Sequence, residues 1–263
     1  MLFIFNSKEH LEKNHDFGGK YTKNILDNFR TFLNYLKNDL EIIDTVPAFP
    51  VIEVLQAKTT WLTPELQRQV FESVPDDDKP IIAFLMLSGC RPGEARALKC
   101  KDVDLANGVI NISATFSNGI LREKRKGRNA KSVTIPIHPE MLEYIKNRVE
   151  GNLLGTYLFV NVNTNKYYSE NKLTKIWDAV RDKVGLAKSI RLYDATRHSF
   201  ASQLVSKGVP LLNVSWLLGH SSTKMTERYY THTDVGRLKT DIINLSLKEA
   251  TVTNVPPGGK AVL

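Results

Sequence analysis

Between Gly108 and Pro136 the period of the apolar residues changes, and this change limits the folds open to the chain. VINISATF (109–116) alternates and is rich in β-branched residues, as a strand requires, and SVTIPI (132–137) repeats the pattern. Between them lies the basic segment LREKRKGRNAK around Gly127. Two alternating runs joined by a charged turn predict a small antiparallel sheet. On both sides of it the spacing is helical. Asn24 to Leu40 carries Ile25, Leu26, Phe29, Phe32, Leu33 and Leu36 on one face. Thr63-Pro64-Glu65 combines a capping threonine, a proline at the first helical position and an acid in the first turn, so a helix runs from there to about Val74. Pro80 opens IIAFLMLSG, apolar almost all round and therefore buried. A short helix is expected from Glu94 to Leu98, and others at 139–149, 170–184, 196–207 and 210–218, with Gly208 and Gly219 as stops. A short helix from about Thr223 and an amphipathic one from about Val235 to Leu247 follow. The fold class is mainly α with a small antiparallel β-sheet.

Pro47 and Pro50 make 44–61 a linker. Three regions are expected: an N-terminal arm with one helix at 1–60, the main domain at 61–250, and a mobile tail at 251–263. Residues 1 to about 20 are polar and expected to be poorly ordered. With 42% hydrophobic and 24% charged residues, the composition is that of a globular protein. The net charge of +8 favours an anionic partner, of which nucleic acid is the commonest. Cys90 and Cys100 fit neither a metal-ligand spacing nor a disulfide framework and read as reduced thiols, with Cys90 in the core. MLFIF is too short for a signal-peptide core, and no run of about 18 apolar residues offers a membrane span.

Three motifs carry the chemistry. GCRPGEARAL places Arg91 at the end of the buried helix, and YDATRHSFASQL carries Arg197. LLGHSSTKMTERYYTH joins a Gly-His turn to a polar helix, with His220 nine positions before Tyr229 and Thr226 one turn before it. Guanidinium groups bind phosphate oxygens in bidentate fashion, and an activated tyrosine hydroxyl can be a covalent nucleophile. Two arginines, a histidine and a tyrosine are the parts needed to hold a phosphodiester and attack it.

From roughly Leu62 to Leu247 the chain resembles the tyrosine recombinases of the phage-integrase family. The resemblance implies the DNA breaking-rejoining catalytic fold, preceded by a shortened remnant of a helical core-binding domain. It implies that Arg91 and Arg197 clamp the phosphate and that Glu94 supports the site. Tyr229 would form a 3′-phosphotyrosine, with Tyr230 as its adjacent rival; adjacent helical residues diverge by about 100°, so one of the two faces the phosphate. The general acid would be a lysine of the basic turn, among Lys124, Lys126 and Lys131, with Lys126 preferred beside Gly127. His220 would hydrogen-bond the phosphate. The covalent link would store the bond energy, so neither ATP, another cofactor nor a metal is implied. The implied partner is double-stranded DNA, bound by a homotetramer in the cytoplasm with accessory DNA-bending proteins.

One departure stands out. The family pattern has a histidine three residues before the second arginine, but Asp194 is at that position here and Tyr193 precedes it. Either a one-residue insertion puts Tyr193 in place of the histidine, or Asp194 replaces it; His198 would pack or buttress. A DNA-binding protein with a degenerate site, and a type IB topoisomerase-like relaxation activity, are the alternative functions.

Overall fold

The computed structural model describes residues 19–54, 60–123 and 132–220. The chain divides into two compact units, Met1–Lys58 and Thr59–Leu263. In the first, α1 (Gly19–Asn38) begins five residues earlier than the periodicity implies. Leu26 and Thr22 are its buried side chains, whereas Phe32 stays 53% exposed. Phe29 meets Phe49 edge-on at 6.0 Å, and the Arg30 guanidinium lies 4.8 Å from the same ring, so aromatic contacts tie the extended segment to the helix.

In the second unit, α2 (Pro64–Glu72) starts as its cap predicts, with the Leu66 N–H donating to Thr63 Oγ1. A single 3₁₀ turn (Asp76–Asp78) leads into α3 (Lys79–Ser88), which buries Ile81, Ile82, Phe84, Leu85 and Met86. Gly89 ends α3 at φ +62, in the left-handed region that a residue without Cβ adopts at little cost. α4 (Pro92–Ala97) follows at once.

The β region is more divided than its sequence pattern suggests. β1 (Val103–Asp104), β2 (Val109–Ile112) and β5 (Val133–Pro136) form one antiparallel sheet in the order β1-β2-β5, with Ile110 opposite Ile135. Ile110, Ile112 and Ile135 point into the core. The run 109–116 breaks after Ile112, and its end joins a separate pair, β3 (Thr115–Ser117) and β4 (Ile120–Arg122). Asn118 and Gly119 link that pair, both at positive φ (52° and 75°), which matches the twist of a two-residue hairpin turn. Of the basic segment, Leu121 and Arg122 belong to β4; Lys124, Lys126 and Lys131 lie outside the described residues.

α5 (Pro139–Glu150) and α6 (Glu170–Val184) end within a residue of their expected limits. Ser169 caps α6, and Gly185 closes it at φ +75. The small hairpin between them, β6 (Val160–Asn161) with β7 (Lys166–Tyr167), carries no sequence signal strong enough to expect it. Around it Tyr167 stacks on Phe116 at 4.3 Å, and the Arg96 guanidinium covers Phe116 at 5.2 Å. The expected helix at 196–207 has two parts: a π-helical turn over Asp194–His198 and α7 (Ser199–Ser206). α8 (Leu211–Leu218) ends at Gly219, φ +60. The chain is thus mainly helical with small antiparallel sheets, as its periodicity implies. Both cysteines are buried. The helices expected after Thr223, and the tail, lie outside the described residues.

Candidate active site

The polypeptide around Arg91 is positioned by two close approaches. A Cβ on Gly89 would lie 2.4 Å from Cδ1 of Phe200 and 3.0 Å from Leu218 Cδ2, so the end of α3 packs directly on α7 and α8. A Cβ on Gly93 would lie 2.5 Å from the Phe116 carbonyl oxygen and 2.9 Å from Thr115 Oγ1, so α4 sits tightly on β3. The two glycines of GCRPGE hold the residue between them against both neighbours. Arg91 is the N-cap of α4. Its N–H donates to Glu94 Oε2 and its Nη1 to Glu94 Oε1, both at 3.1 Å. Glu94 is 1% exposed, whereas the Arg91 side chain is 24% exposed. The acid is therefore a buried anchor that fixes both the backbone and the guanidinium of Arg91, beyond the helix-start role its position alone suggests.

Arg197 comes from the π turn and is 1% exposed. Nη1 donates to the Gly89 carbonyl and Nη2 to the Leu218 carbonyl, each at 2.8 Å. Nη2 also meets His220 Nε2 at 2.9 Å. Arginine has donors only, so His220 Nε2 is the acceptor and the neutral ring carries its proton on Nδ1. A direct Nε2–H donor to a phosphate is the simplest expectation for this histidine, but the geometry instead turns Nε2 toward Arg197. The remaining nitrogen, Nε of Arg197, is buried and has no hydrogen-bond partner among the described residues. Burial pulls the guanidinium pKa below its ordinary value, and the nearby charge of Arg91 pulls in the same direction, while Tyr193 and Glu94 oppose them. A guanidinium is not deprotonated in proteins, so the group stays charged.

The site is thus a buried cation whose hydrogen bonds among the described residues go to two carbonyls and a neutral ring, with Arg91 and Glu94 both within electrostatic reach. Glu94 is already engaged by Arg91, and an anion placed against both guanidinium groups would relieve the cost of burying the second positive charge. The structure therefore brings together Arg91, Glu94, Arg197 and His220. Lys126, Tyr229 and Tyr230 lie outside the described residues. Among the described residues no group of three His, Cys, Asp or Glu is arranged to hold a metal ion, and no helix is long and apolar enough to cross a membrane.

His198 lies behind this cluster, its Nε2 3.8 Å from Asp194 Oδ1 and its ring edge-on to Tyr193. Burial pushes its pKa below 6.5 despite the nearby carboxylate, and Arg197 and Arg191 push it the same way. A histidine kept neutral by the fold contributes stability above its unfolded pKa, and this is lost as pH falls below about 6.5 toward the folded value. Thermal unfolding followed by circular dichroism should therefore show a falling Tm between about pH 6.5 and 5. His198→Gln should flatten that part of the profile; an unchanged slope would show that the titration lies elsewhere.

Sequence comparison agrees with this geometry. Residues 61–237 match the model of the phage integrase family. The chain is 26% identical over 230 residues to the tyrosine recombinase XerC of Thermodesulfovibrio yellowstonii, covering 81% of this chain and 71% of that protein. It is 28% identical over 195 residues to the tyrosine recombinase XerA of Pyrococcus furiosus, covering 72% and 62%. Among solved structures, the Tn1549 transposon integrase in complex with transposon right end DNA superposes with a TM-score of 0.74 at 17% identity, covering 92% of this chain and 84% of that one. A crystal structure of XerA recombinase gives 0.55 at 19%, covering 94% and 84%. These structural likenesses establish the shared fold. The family match takes in well over half of the 263 residues, and the chain belongs to the phage integrase family.

Proposed function

We propose that this protein is a site-specific DNA recombinase that cleaves and rejoins strands through a 3′-phosphotyrosine. The observation that carries the reading is Arg197, a fully buried guanidinium that among the described residues hydrogen-bonds two carbonyls and no carboxylate and leaves Nε without a partner. Such a group is preorganised for an anion that arrives from outside, and electrostatic preorganisation supplies much of the rate in phosphoryl transfer. The net charge of +8 and the DNA-bound state of the Tn1549 relative support duplex DNA as the source of that anion.

In this reading Arg91 and Arg197 hold the nonbridging oxygens of the scissile phosphate. Tyr229 attacks phosphorus, a bond forms to its phenolic oxygen, and the bond to the 5′ oxygen breaks. A lysine of the basic turn, Lys126, gives the departing oxygen its proton. A 5′ hydroxyl from the partner strand reverses the sequence, releasing Tyr229. His220 holds Arg197 in register through Nε2. Action in the cytoplasm as a homotetramer on two DNA sites, with accessory DNA-bending proteins, completes the proposal. In domain terms, 61–250 is the catalytic portion, preceded by an arm at 1–60 and followed by a tail at 251–263.

The test is covalent trapping. Duplexes from a pool of flanking sequences, nicked so that the freed 5′ segment diffuses away, are labelled and incubated with the protein. Label should then migrate with protein on a denaturing gel and be released by protease. Mass spectrometry of the adduct peptide should place the nucleotide on Tyr229 and not on Tyr230. Specific DNA binding by gel shift without any adduct would replace this reading with a binding protein whose site is degenerate.

A further inference from the structure

The π turn at Asp194–His198 resolves which residue stands in for the histidine absent three positions before Arg197. A π turn closes i→i+5 hydrogen bonds and arises where one extra residue is accommodated inside a helix. Here the Ser199 N–H reaches the Asp194 carbonyl, the i→i+5 bond, and Ser199 Oγ donates to the same oxygen at 2.8 Å. The widened turn disturbs the usual ladder, and side chains from elsewhere complete it. Gln67 Nε2 donates to the Ala195 carbonyl at 3.0 Å, and Ser199 Oγ in turn accepts the Leu62 N–H at 2.8 Å. The insertion is thus built into the packing of α2 and the segment before it.

Its directional consequence follows from helix geometry. In an α-helix, residues three apart lie about 60° apart around the axis. In a π turn of roughly 4.4 residues, the residue four back lies only about 33° away, while the residue three back swings to about 115°. Tyr193, four before Arg197, shares its side of the helix in either geometry (about 40° away in an α-helix), and what the π turn moves is Asp194, which swings from about 60° to about 115° away from Arg197. The contacts agree. The Tyr193 ring centroid lies 6.0 Å from Arg197 Cζ. Asp194 faces Arg191 instead, accepting from its N–H at 2.9 Å and from Nε and Nη2 at 3.1 Å each. The Asp194 carboxylate is 6% exposed, acceptor-only and already engaged, so it has nothing to offer a phosphate. Among the described residues the Tyr193 hydroxyl makes no hydrogen bond, and the half-buried ring is braced edge-on against His198 at 4.9 Å.

We infer that Tyr193, which shares the side of the helix that Arg197 occupies while the π turn moves Asp194 off it, donates its phenolic hydroxyl to a nonbridging oxygen of the scissile phosphate. This rests on the strand-cleaving reading above. It makes Tyr193 a second functional tyrosine, one that binds the phosphate without becoming covalently attached to it.

The experiment is single-turnover cleavage of the nicked duplex by wild type, Tyr193→Phe and Tyr193→His, with Tm and duplex affinity measured alongside. Tyr193→Phe keeps the ring and its packing, so Tm and affinity should match wild type while cleavage slows by about 10- to 100-fold. Tyr193→His should restore cleavage to within a few-fold and add a pH dependence near the imidazole pKa of about 6.5 that wild type lacks. Unchanged cleavage in Tyr193→Phe overturns the inference, as does a loss that Tyr193→His fails to restore. Should wild type form no adduct, the strand-cleaving reading falls, and titration of each variant with inorganic phosphate, followed by Tm, decides this one separately. A several-fold weaker phosphate response in Tyr193→Phe sustains it, and an equal response ends it.

Discussion

Arg197→Lys should slow strand cleavage by roughly 10³-fold or more while leaving the fold and most of the DNA affinity in place. The guanidinium spans three partners at once: the Gly89 carbonyl, the Leu218 carbonyl and His220 Nε2. Its planar fork leaves Nε as the one guanidinium nitrogen without a partner among the described residues. A lysine ammonium keeps the charge but is a point donor on a flexible stem, and it cannot hold the same three acceptors in one plane. It would also lose the tie to His220, freeing the end of α8. Affinity should change by only about threefold, because one phosphate contact among many contributes little to duplex binding. Single-turnover cleavage and gel shift measured on the same preparation check this. Cleavage within tenfold of wild type would remove Arg197 from the clamp.

Phe159→Ala is expected to cost about 3–5 kcal/mol of folding stability, at a side chain of the second unit that takes no part in the site. Phe159 is 1% exposed, with its ring centroid 5.0 Å from Phe84 and 5.9 Å from Tyr144. It therefore joins α3 to α5, tilted against Phe84 and stacked on Tyr144. Truncation removes the transfer free energy of the ring and leaves a cavity between two helices that relax only partly. Urea denaturation should show a lower midpoint with an unchanged slope. A loss under about 1.5 kcal/mol would mean that the neighbouring rings collapse into the space more freely than their packing implies.

The two expectations differ in how far they could be seen in the chain. Arg197 stood out as a candidate phosphate ligand because its motif, YDATRHSFASQL, resembles a family pattern. What makes it a site, its three-point fixation and orphaned Nε, joins residues 108 and 21 positions apart to it. Phe159 follows a stretch with no strong period, and only its contacts with α3 and α5 mark it as core. Glu94 shows the same limit: an acid in a first turn suits the helix dipole, and only burial at 1% shows that it anchors Arg91. The close approaches at Gly89 and Gly93 were likewise invisible, since a glycine in sequence does not say what its missing Cβ would strike.

Local chemistry is what the sequence determined by itself. α2 starts at its Thr-Pro-Glu cap, α6 runs between Ser169 and Gly185, and the apolar α3 is buried all round, because caps and periodicity act within one or two turns. The tertiary structure decided where that local logic was underdetermined. Residues 194–198 read as the approach to an ordinary helix beginning at Thr196. They form a π turn because Gln67 and Ser199, placed by distant packing, supply hydrogen bonds to the Ala195 and Asp194 carbonyls. The run 109–116 reads as one strand, yet it splits after Ile112 because its two halves find different partners, β5 and β4. Arg191, three positions away, engages the Asp194 carboxylate, but the hydrogen bonds that complete the widened turn come from Gln67 and Leu62, more than a hundred positions away, and such bonds have no local signature.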